Sequence, residues 1–485
     1  MVLGSCYYVE TENHKFIVDC GMFQGPSIEH LNYEKFHFDP KDVEFVVLTH
    51  THIDHSGLLP KLARYGFKGK LYCTTTTARL VELLLMDSAK IQESNLKNYK
   101  RDQKAEAPAK PVEMDENGQP IPQALDMHPG THDPDLAEEA EYVYGTPDAM
   151  SILSNIQTFD YGETLELDDT LKFKFVDAGH ILGAASLQMT AVENGVSKKV
   201  LWSGDIGHKG QGLISFFAPA DGFRPDAIVM EATYGGKFHD NRTDTVNKLV
   251  EIIRDTTATG NNVIIPTFAA QRTQEILFEL KKAKMFGKLP YGLEVYVDSP
   301  LAARITDVYQ KSWRYLNAET RMFFENEDNA FNFPKLYFTR NAKDSQFLNK
   351  KRGVVILSGS GMCTGGRVLY HLSVNLPNPN AAVILVGFQA EETLGRELAE
   401  GAKEVEINNN KIPVRATINR LFGFSGHADQ NGLMEYFKQY HFENTKNVFV
   451  VHSEQERAEA LMKSIQELDP NINVTYPNLQ QEFEI

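Results

Sequence analysis

The sequence has few cysteines and no long apolar run. Its four cysteines, Cys6, Cys20, Cys73 and Cys363, are widely separated among 485 residues, which excludes a disulfide framework or a CxxC metal site and predicts reduced thiols. No apolar stretch approaches the roughly 20 residues that cross a bilayer, and the segment MVLGSCYYVETENHK does not resemble a signal peptide. We therefore expect a soluble, cytoplasmic protein without a membrane partner.

Positive charge is also scarce. Lysine and arginine number 49 against 65 aspartates and glutamates, which gives a formal net charge of −16. Proteins that hold nucleic acid through its phosphates usually present a basic surface. The charge balance excludes such a coat, so any nucleic-acid contact is confined to a cleft. The length and the hydrophobic content of 42% predict a large core and at least two domains.

Short β-branched and apolar runs alternate with helical patterns along the chain, and each run ends in a polar or glycine-containing turn. This order predicts an α/β protein, in which ligand sites lie at the carboxyl ends of strands. The predicted strand segments are 16–21, 45–50, 172–180, 198–205, 226–235, 261–268, 293–300, 353–361, 381–388 and 447–454.

The segment 100–141 differs from the rest, because it is rich in proline, acidic and aperiodic. Such a composition predicts a surface insertion or a mobile loop. Two histidines in this segment, His128 and His132, are assigned no metal role.

The stretch THTHIDHSG (49–57) follows the apolar run 45–48 and concentrates four ligand-type residues, His50, His52, Asp54 and His55. Imidazole is costly to bury, so a packing role explains them poorly. His50 and His52 flank one residue at a strand end and therefore point the same way, while the other two open a helix. Imidazole and carboxylate together suit zinc, manganese or iron. The alternative is a polar loop that arose by chance.

A pair of adjacent ions needs further ligands from elsewhere in the chain. Three residues at other predicted strand ends can supply them. They are His180 in DAGHILGAAS, Asp205 in SGDIG and His452 in VVHSE.

Together, HTHIDH, DAGHILGAAS and SGDIG resemble the signature of the metallo-β-lactamase superfamily, HxHxDH followed by a distant histidine and a distant aspartate. Further segments resemble the β-CASP group of nucleases within it: EATYG, IPTFAAQRTQE, VYVDSPLA, SGSGMCTGGR, GFQAEETLGR, FSGHAD and VHSE. The chain is most similar to stand-alone RNA-cleaving enzymes related to the cleavage subunit of the mRNA 3′-end processing machinery. DNA-directed relatives usually lack a histidine at the position of His452, which argues for RNA.

The resemblance covers nearly the whole chain except 100–141, and it implies an α/β fold. This fold is a four-layered αββα metallo-β-lactamase core with an inserted α/β β-CASP domain, and the active site lies in the cleft between them. We expect the core at 1–238 and 415–485 and the inserted domain at 239–414. Relatives usually begin one strand before a segment like TGSC, so we also expect that a first strand is missing before VLGSC.

By motif position, the resemblance implies two zinc ions per chain. The residues that match the ligands of the first ion are His50, His52 and His180. The residues that match the ligands of the second ion are Asp54, His55 and His452, with Asp205 as the bridge between the ions. Asp19, in IVDCG, matches a residue that accepts a hydrogen bond from a ligand histidine. Asp19 and Asp205 have an alternative interpretation as turn residues at strand ends.

The predicted catalytic residues are His427, Glu231 and Asp54. Hydrolysis of a phosphodiester needs a proton for the departing ribose oxygen, and His427 is the candidate acid. Glu231 would orient it and keep it protonated. A structural hydrogen-bonded pair, or two unrelated surface groups, is the alternative for His427 and Glu231.

The glycine-rich segment SGSGMCTGGR is predicted to contact a substrate phosphate. Ser358, Ser360 and Gly361 would present backbone amides, and Arg367 and Arg396 would supply positive charge. The alternatives are an ordinary turn for the loop and solvated or ion-paired surface positions for the two arginines.

These features predict a zinc-dependent ribonuclease that acts on single-stranded RNA and leaves a 5′-phosphate and a 3′-hydroxyl. Cleavage is expected to be endonucleolytic. The sequence leaves open whether the protein also has 5′–3′ exonuclease activity and whether it forms a homodimer. Two other classes remain: a hydrolase of a small thioester or lactam, and a catalytically silent scaffold for RNA processing. The filled ligand positions disfavour the scaffold.

Overall fold

The computed structural model describes residues 4–25, 27–106, 142–326, 328–441 and 443–485, with the backbone alone for residues 98–106. Most of the predicted insertion, with His128 and His132, lies outside the described residues. Its first part, 100–106, continues the helix Thr75–Glu106. The prediction of irregular structure is wrong there, because KRDQKAE contains good helix formers and no proline.

The described helices start where sequence signals favour a start. Asn241, Ser299 and Asp429 each accept a hydrogen bond from first-turn amides of the helix that follows. The α-helices are α1 Ile53–Ser56, α2 Leu59–Arg64, α3 Thr75–Glu106, α4 Thr146–Leu153, α5 Arg242–Ala258, α6 Arg272–Met285, α7 Pro300–Lys311, α8 Ala318–Glu325, α9 Ala342–Leu348, α10 Arg367–Asn375, α11 Leu394–Glu400, α12 Gln430–Tyr440 and α13 Gln455–Leu468. Short 3₁₀ turns occupy Glu29–Asn32, Trp313–Tyr315 and Phe422–Phe424.

The first core sheet has the strand order β1-β2-β3-β4-β5. Its strands are β1 Tyr7–Glu10, β2 Lys15–Val18, β3 Phe45–Val47, β4 Lys70–Thr74 and β5 Ile156–Phe159. β1 is antiparallel to β2, and the other neighbours are parallel. Parallel strands are covered on both faces, which explains why the runs in β2 and β3 are apolar without alternation.

The second core sheet has the strand order β20-β19-β10-β9-β8-β7-β6. Its strands are β6 Thr164–Glu166, β7 Leu171–Asp177, β8 Ala185–Glu193, β9 Val196–Trp202, β10 Ala227–Glu231, β19 Asn447–Val451 and β20 Asn473–Thr475. β6 to β9 form an antiparallel meander, whereas β9, β10, β19 and β20 are parallel.

Aromatic side chains fill the space between these two sheets. The rings of Phe16, Phe45 and Phe173 are at most 3% exposed. The ring of Phe173 meets that of Phe16 edge-on, with 5.3 Å between centroids, and that of Phe45 at 6.1 Å. Complete burial of one such ring stabilises the fold by about 1.5–3 kcal/mol.

Helices cover the outer face of each core sheet. Leu62 of α2, Leu85 of α3 and Ile152 of α4 pack on the first sheet. Leu433 of α12 and Leu461 of α13 pack on the second. The core is therefore layered αββα.

A third sheet, with the order β13-β12-β14-β11-β15-β18, is parallel throughout. Its strands are β11 Val263–Pro266, β12 Val295–Asp298, β13 Leu336–Phe338, β14 Val355–Ser358, β15 Ala382–Leu385 and β18 Thr417–Arg420, and a separate hairpin joins β16 Glu404–Ile407 to β17 Asn410–Pro413. α5 and α6 cover one face of this sheet, and α10 and α11 cover the other. The predicted fold class, an αββα core with an inserted α/β unit, is confirmed.

The third sheet and its helices, here called the insert, leave the core after β10 and return to it before α12. Near the return point, His427 forms an isolated antiparallel β-bridge with Gly207, which lies between β9 and β10. β18 continues the sheet past the predicted boundary at 414/415. This boundary and the one at 238/239 stay predictions.

The insert docks on α3 of the core. Leu80 of α3 packs in one buried cluster with Phe278 of α6 and with Ile305 and Tyr309 of α7. This contact holds the insert against the core on the α3 side. Among the described residues, no helix is both long enough and apolar enough to span a membrane.

We predict that Phe173→Ala lowers the free energy of unfolding by about 3–5 kcal/mol, because it leaves a cavity between the two core sheets. Urea titration followed by circular dichroism measures the change. Phe286→Ala is the matched control, since Phe286 is 74% exposed. Equal midpoints for the two variants would contradict this account of the core.

Candidate metal centre

The carboxyl ends of the core strands deliver ligand-type side chains to one place. The segment after β3 carries His50, His52, Asp54 and His55. The segments after β7, β9 and β19 carry His180, Asp205 and His452. Their nitrogen and oxygen atoms form two groups, and the atoms of each group lie within 4.8 Å of one another. The fold thus brings together all seven residues that the sequence predicts as metal ligands.

The first group is formed by His50, His52, His180 and Asp205. Nδ1 of His52 lies 3.1 Å from Nε2 of His50 and 3.2 Å from Nε2 of His180. Oδ2 of Asp205 lies 3.3 Å from Nε2 of His50 and 3.4 Å from Nε2 of His180. Four electron-pair donors therefore face a common point.

The second group is formed by Asp54, His55 and His452. Oδ2 of Asp54 lies 3.3 Å from Nε2 of His452. Oδ1 of Asp205 lies 3.2 Å from Nε2 of His55. Asp205 consequently turns one carboxylate oxygen toward each group.

Several of these atoms lack a hydrogen-bond partner although they are buried. They include both carboxylate oxygens of Asp205 and Nε2 of His55. A buried polar atom without a partner is costly. Shared coordination of a cation removes that cost, and imidazoles with carboxylates form the donor set of a divalent metal site. The residues present therefore fit a divalent metal centre.

Hydrogen bonds around the centre fix the rings of three histidines. Nδ1 of His55 donates to Oδ2 of Asp19 at 2.7 Å, and Nδ1 of His180 donates to the carbonyl oxygen of Gly426 at 3.1 Å. Nδ1 of His50 lies 3.1 Å from Oγ1 of Thr49. When the rings are neutral, these contacts leave the lone pair of each Nε2 facing the centre.

Asp19 itself is held by the segment that follows β3. Its oxygens accept from the backbone N of Thr49 at 2.7 Å and from its hydroxyl at 2.8 Å. Asp19 has a φ of 57°, and His452 has a φ of 51°. The left-handed region is unfavourable for residues other than glycine, so both positions store backbone strain beside the centre. Gly21 is also required here, since a Cβ on it would lie 1.7 Å from the carbonyl oxygen of Asp54.

Burial and mutual repulsion favour neutral imidazoles in the first group. Burial and the neighbouring His50 lower the pKa of His52 to about 3. Burial also lowers the pKa values of His50 and His180. His55 differs, because the carboxylates of Asp205 and Asp19 outweigh burial and raise its pKa well above the usual value. A neutral ring is the form that binds a metal ion.

The candidate acid, His427, lies beside the first group. Its Nδ1 lies 3.1 Å from Oε1 of Glu231 and 4.0 Å from Oδ2 of Asp205. Burial lowers the pKa of His427, but the charges of Glu231 and Asp205 outweigh burial and raise it to about 9. Glu231 is fixed by the backbone amides of Ile206 at 2.7 Å and Thr233 at 3.1 Å. The predicted His427–Glu231 pair is thus in contact at the centre.

The predicted phosphate loop follows β14, at the carboxyl edge of the third sheet. The hydroxyl of Ser358 donates to the carbonyl oxygen of Asp298 at 3.2 Å. Oγ of Ser360 accepts from the backbone N of Thr364 at 2.9 Å. Both hydroxyls therefore stabilise the loop and its neighbouring strand.

The two predicted phosphate-binding arginines have carboxylate partners. Nη1 of Arg367 donates to Oδ1 of Asp298 at 2.7 Å, and Nε of Arg396 donates to Oε1 of Glu400 at 2.5 Å. Arg367 also donates to the hydroxyl of Thr339 at 3.0 Å. These contacts match the ion-paired alternative, and the phosphate roles of the loop and of both arginines stay predictions.

Sequence reasoning missed the threonines that support the centre. Thr49 lies between Asp19 and His50, and Oγ1 of Thr233 lies 3.1 Å from Nδ1 of His452. Both threonines adjoin residues that the sequence did single out, because Thr49 precedes His50 and Thr233 follows Glu231 by two positions. That proximity in sequence was the available signal.

Comparisons with known proteins agree with this geometry. Residues 2–235 match the Metallo-beta-lactamase superfamily, residues 273–398 match the Beta-Casp domain, and residues 411–477 match the Zn-dependent metallo-hydrolase RNA specificity domain. The chain belongs to the β-CASP family of metal-dependent hydrolases within the metallo-β-lactamase superfamily.

Individual relatives extend the match over most of the chain. The Ribonuclease TTHA0252 of Thermus thermophilus is 33% identical over 465 residues, which cover 95% of this chain and 93% of that protein. An RNase J-like protein of Methanocaldococcus jannaschii is 33% identical over 454 residues, covering 93% and 89%. The Transcription termination factor FttA of the same organism is 28% identical over 468 residues, covering 93% of this chain and 65% of its own length.

We predict that Asp205→Asn weakens divalent metal binding by more than about 100-fold, because it removes the charge that both groups share. Competition with a chromogenic chelator measures the affinity, and circular dichroism checks the fold. Asp168→Asn, an exposed aspartate of the same core, is the control. Unchanged affinity in Asp205→Asn would exclude Asp205 as the shared ligand.

Proposed function

We propose that this protein is a zinc-dependent ribonuclease that hydrolyses phosphodiester bonds within single-stranded RNA. The observation that carries the proposal is the contact of the His427–Glu231 pair with a set of seven metal-type ligands, five of which are buried. The match to an RNA specificity domain and the two relatives named as a ribonuclease and an RNase J-like protein support RNA as the substrate.

The ligand chemistry supports zinc and a count of two ions. His50, His52 and His180 would hold the first ion and Asp54, His55 and His452 the second, with Asp205 between them. Imidazole nitrogens and monodentate carboxylates are the usual zinc ligands in catalytic sites. When bound, a pair of such ions activates water for attack and neutralises charge on the phosphodiester.

The chain's own residues would manage the proton of the leaving group. His427 donates from its free ring nitrogen, Nε2, while Nδ1 stays on Glu231. The raised pKa of His427, about 9 before any cation binds, leaves room for the decrease that nearby cations cause. Glu231 is therefore assigned the role of holding the acid protonated and aligned.

The position of the insert supports a polymeric substrate in the cleft. The carboxyl edge of the third sheet meets the metal centre through Phe388, whose ring centroid lies 6.4 Å from that of Tyr234, which in turn lies 6.3 Å from His427. RNA contact confined to this region agrees with the net charge of −16, which disfavours a broad nucleic-acid surface. The cytoplasmic location and the homodimer stay predictions.

We predict that the zinc-loaded protein cuts a circular RNA, which has no end for an exonuclease, and that EDTA abolishes the reaction. Asp54→Ala should lower the rate by more than about 100-fold and reduce the bound zinc from two ions toward one, because a ligand is lost. Gel analysis of the circle and elemental analysis measure both effects. Hydrolysis of a thioester or lactam without RNA cleavage would favour a small-molecule hydrolase, and zinc binding without either activity would favour a scaffold.

We predict that Glu231→Gln moves the alkaline limb of the rate profile to lower pH by about one to three units. The acid works only when protonated, and the variant loses the charge that raises the pKa of His427. Cleavage rates from pH 6 to about pH 10 measure the shift. His427→Ala is the comparison, since it should remove the limb while zinc content stays unchanged. An identical alkaline limb in Glu231→Gln would exclude this role.

A further inference from the structure

One exposed aromatic ring lies at the carboxyl edge of the third sheet and has no part in the centre described above. Phe268 follows β11 by two residues and is 39% exposed, whereas Thr267 beside it is 2% exposed. The backbone around the ring is fixed, because the hydroxyl of Thr273 donates to the carbonyl oxygen of Phe268 at 2.7 Å. The ring is therefore held in place while part of it remains open to solvent.

Two glycines make room for this ring. A Cβ at Gly361 would lie 2.8 Å from Cδ2 and 2.9 Å from Cε2 of Phe268, and a Cβ at Gly387 would lie 3.9 Å from Cε2. Any side chain at 361 would displace the ring. The packing of Phe268 therefore requires glycine at position 361 of SGSGMCTGG, whether or not this loop binds a phosphate. One side of the phenyl ring rests on backbone, and part of its remaining surface is open.

A series of neighbouring residues connects the ring to the metal centre. Gly387 is followed by Phe388, whose ring approaches Tyr234, and Tyr234 approaches His427, with centroid distances of 6.4 Å and 6.3 Å. The guanidinium of Arg457 lies over both Tyr234 and Phe388, at 5.5 Å and 5.3 Å from their centroids. Phe268 therefore lies at the far end of a series of neighbouring residues that begins at the candidate acid.

We propose that Phe268 stacks on one nucleobase of the RNA strand that places a phosphate at the metal centre. The inference rests on the proposed function. An uncharged aromatic face suits a base, since every base has a π-face and stacking needs no charge complementarity. An acidic protein that lacks a basic coat also needs contacts other than phosphate pairing to hold RNA. Phe268 is a binding residue in this scheme, so it acts on affinity rather than on the chemical step.

The test uses a single-stranded RNA with one mapped cleavage site and a series of copies that each carry one abasic nucleotide. Single-turnover cleavage at increasing enzyme concentration gives the half-saturating concentration and the maximum rate separately. The proteins are the wild type, Phe268→Ala, Phe268→Leu and Phe268→Trp, with Phe286→Ala as a control at a 74% exposed phenylalanine. Leucine keeps apolar bulk on the glycines but has no π-face, whereas tryptophan keeps stacking. Thermal unfolding midpoints confirm that the variants fold.

We expect one abasic position to raise the half-saturating concentration of the wild type about 5- to 150-fold with little change in the maximum rate. Phe268→Ala and Phe268→Leu should show that increase on intact RNA and be insensitive to that abasic position. Phe268→Trp and Phe286→Ala should match the wild type. The stacking inference alone is overturned if Phe268→Leu and Phe268→Trp have the same half-saturating concentration. It is also overturned if the wild type and Phe268→Ala respond equally to each abasic position. A wild type that cleaves no RNA overturns the proposed function together with it.

Discussion

The structure depends on the close approach of one buried carboxylate to the rings of several histidines. Asp205, buried at the end of β9, turns one oxygen toward His50 and His180 and the other toward His55, and neither oxygen has a hydrogen-bond partner. A buried carboxylate without hydrogen bonds is costly unless positive charge lies beside it, as a bound cation or a protonated His55 provides. The fold tolerates it because both core sheets end at this point and rigid packing beneath them holds the donors together.

The residues around the seven metal-type ligands also have particular conformations and hydrogen bonds. Asp19 and His452 adopt left-handed backbone conformations, and threonine hydroxyls from two strands complete the hydrogen bonds of the histidine rings. The rings between the sheets, including Phe16 and Phe173, supply the stability that offsets this local strain. The buried rings of the core therefore compensate for the backbone strain beside the metal-type ligands.

Much of this could be predicted from the sequence, because the ligand motif is short and dense. HTHIDH contributes four donors within six positions, and His180, Asp205 and His452 each follow an apolar run that is visible as a strand. The layered fold followed from the resemblance that these motifs carry. Asp19 could be singled out for the same reason.

The remainder depended on contacts that sequence spacing does not encode. Arg367 reads as a free cation beside a glycine-rich loop, yet it pairs with Asp298, 69 positions away. Gly361 is predicted as a phosphate contact through its backbone amide, and the sequence does not show that the ring of Phe268, which follows another strand, occupies the space that a side chain at 361 would need. Residues 100–106 read as irregular from the proline-rich segment that follows, and only local helix preference was informative there.

The path of the chain through the insert has a mechanical consequence. The insert leaves the core just after Glu231 and returns at His427, and these two residues are in contact. A body tethered at two neighbouring points rotates most easily about the line that joins them. Such an axis passes close to the proton donor and its carboxylate, and points on a rotation axis move least, so the pair would stay aligned while the rest of the insert moves.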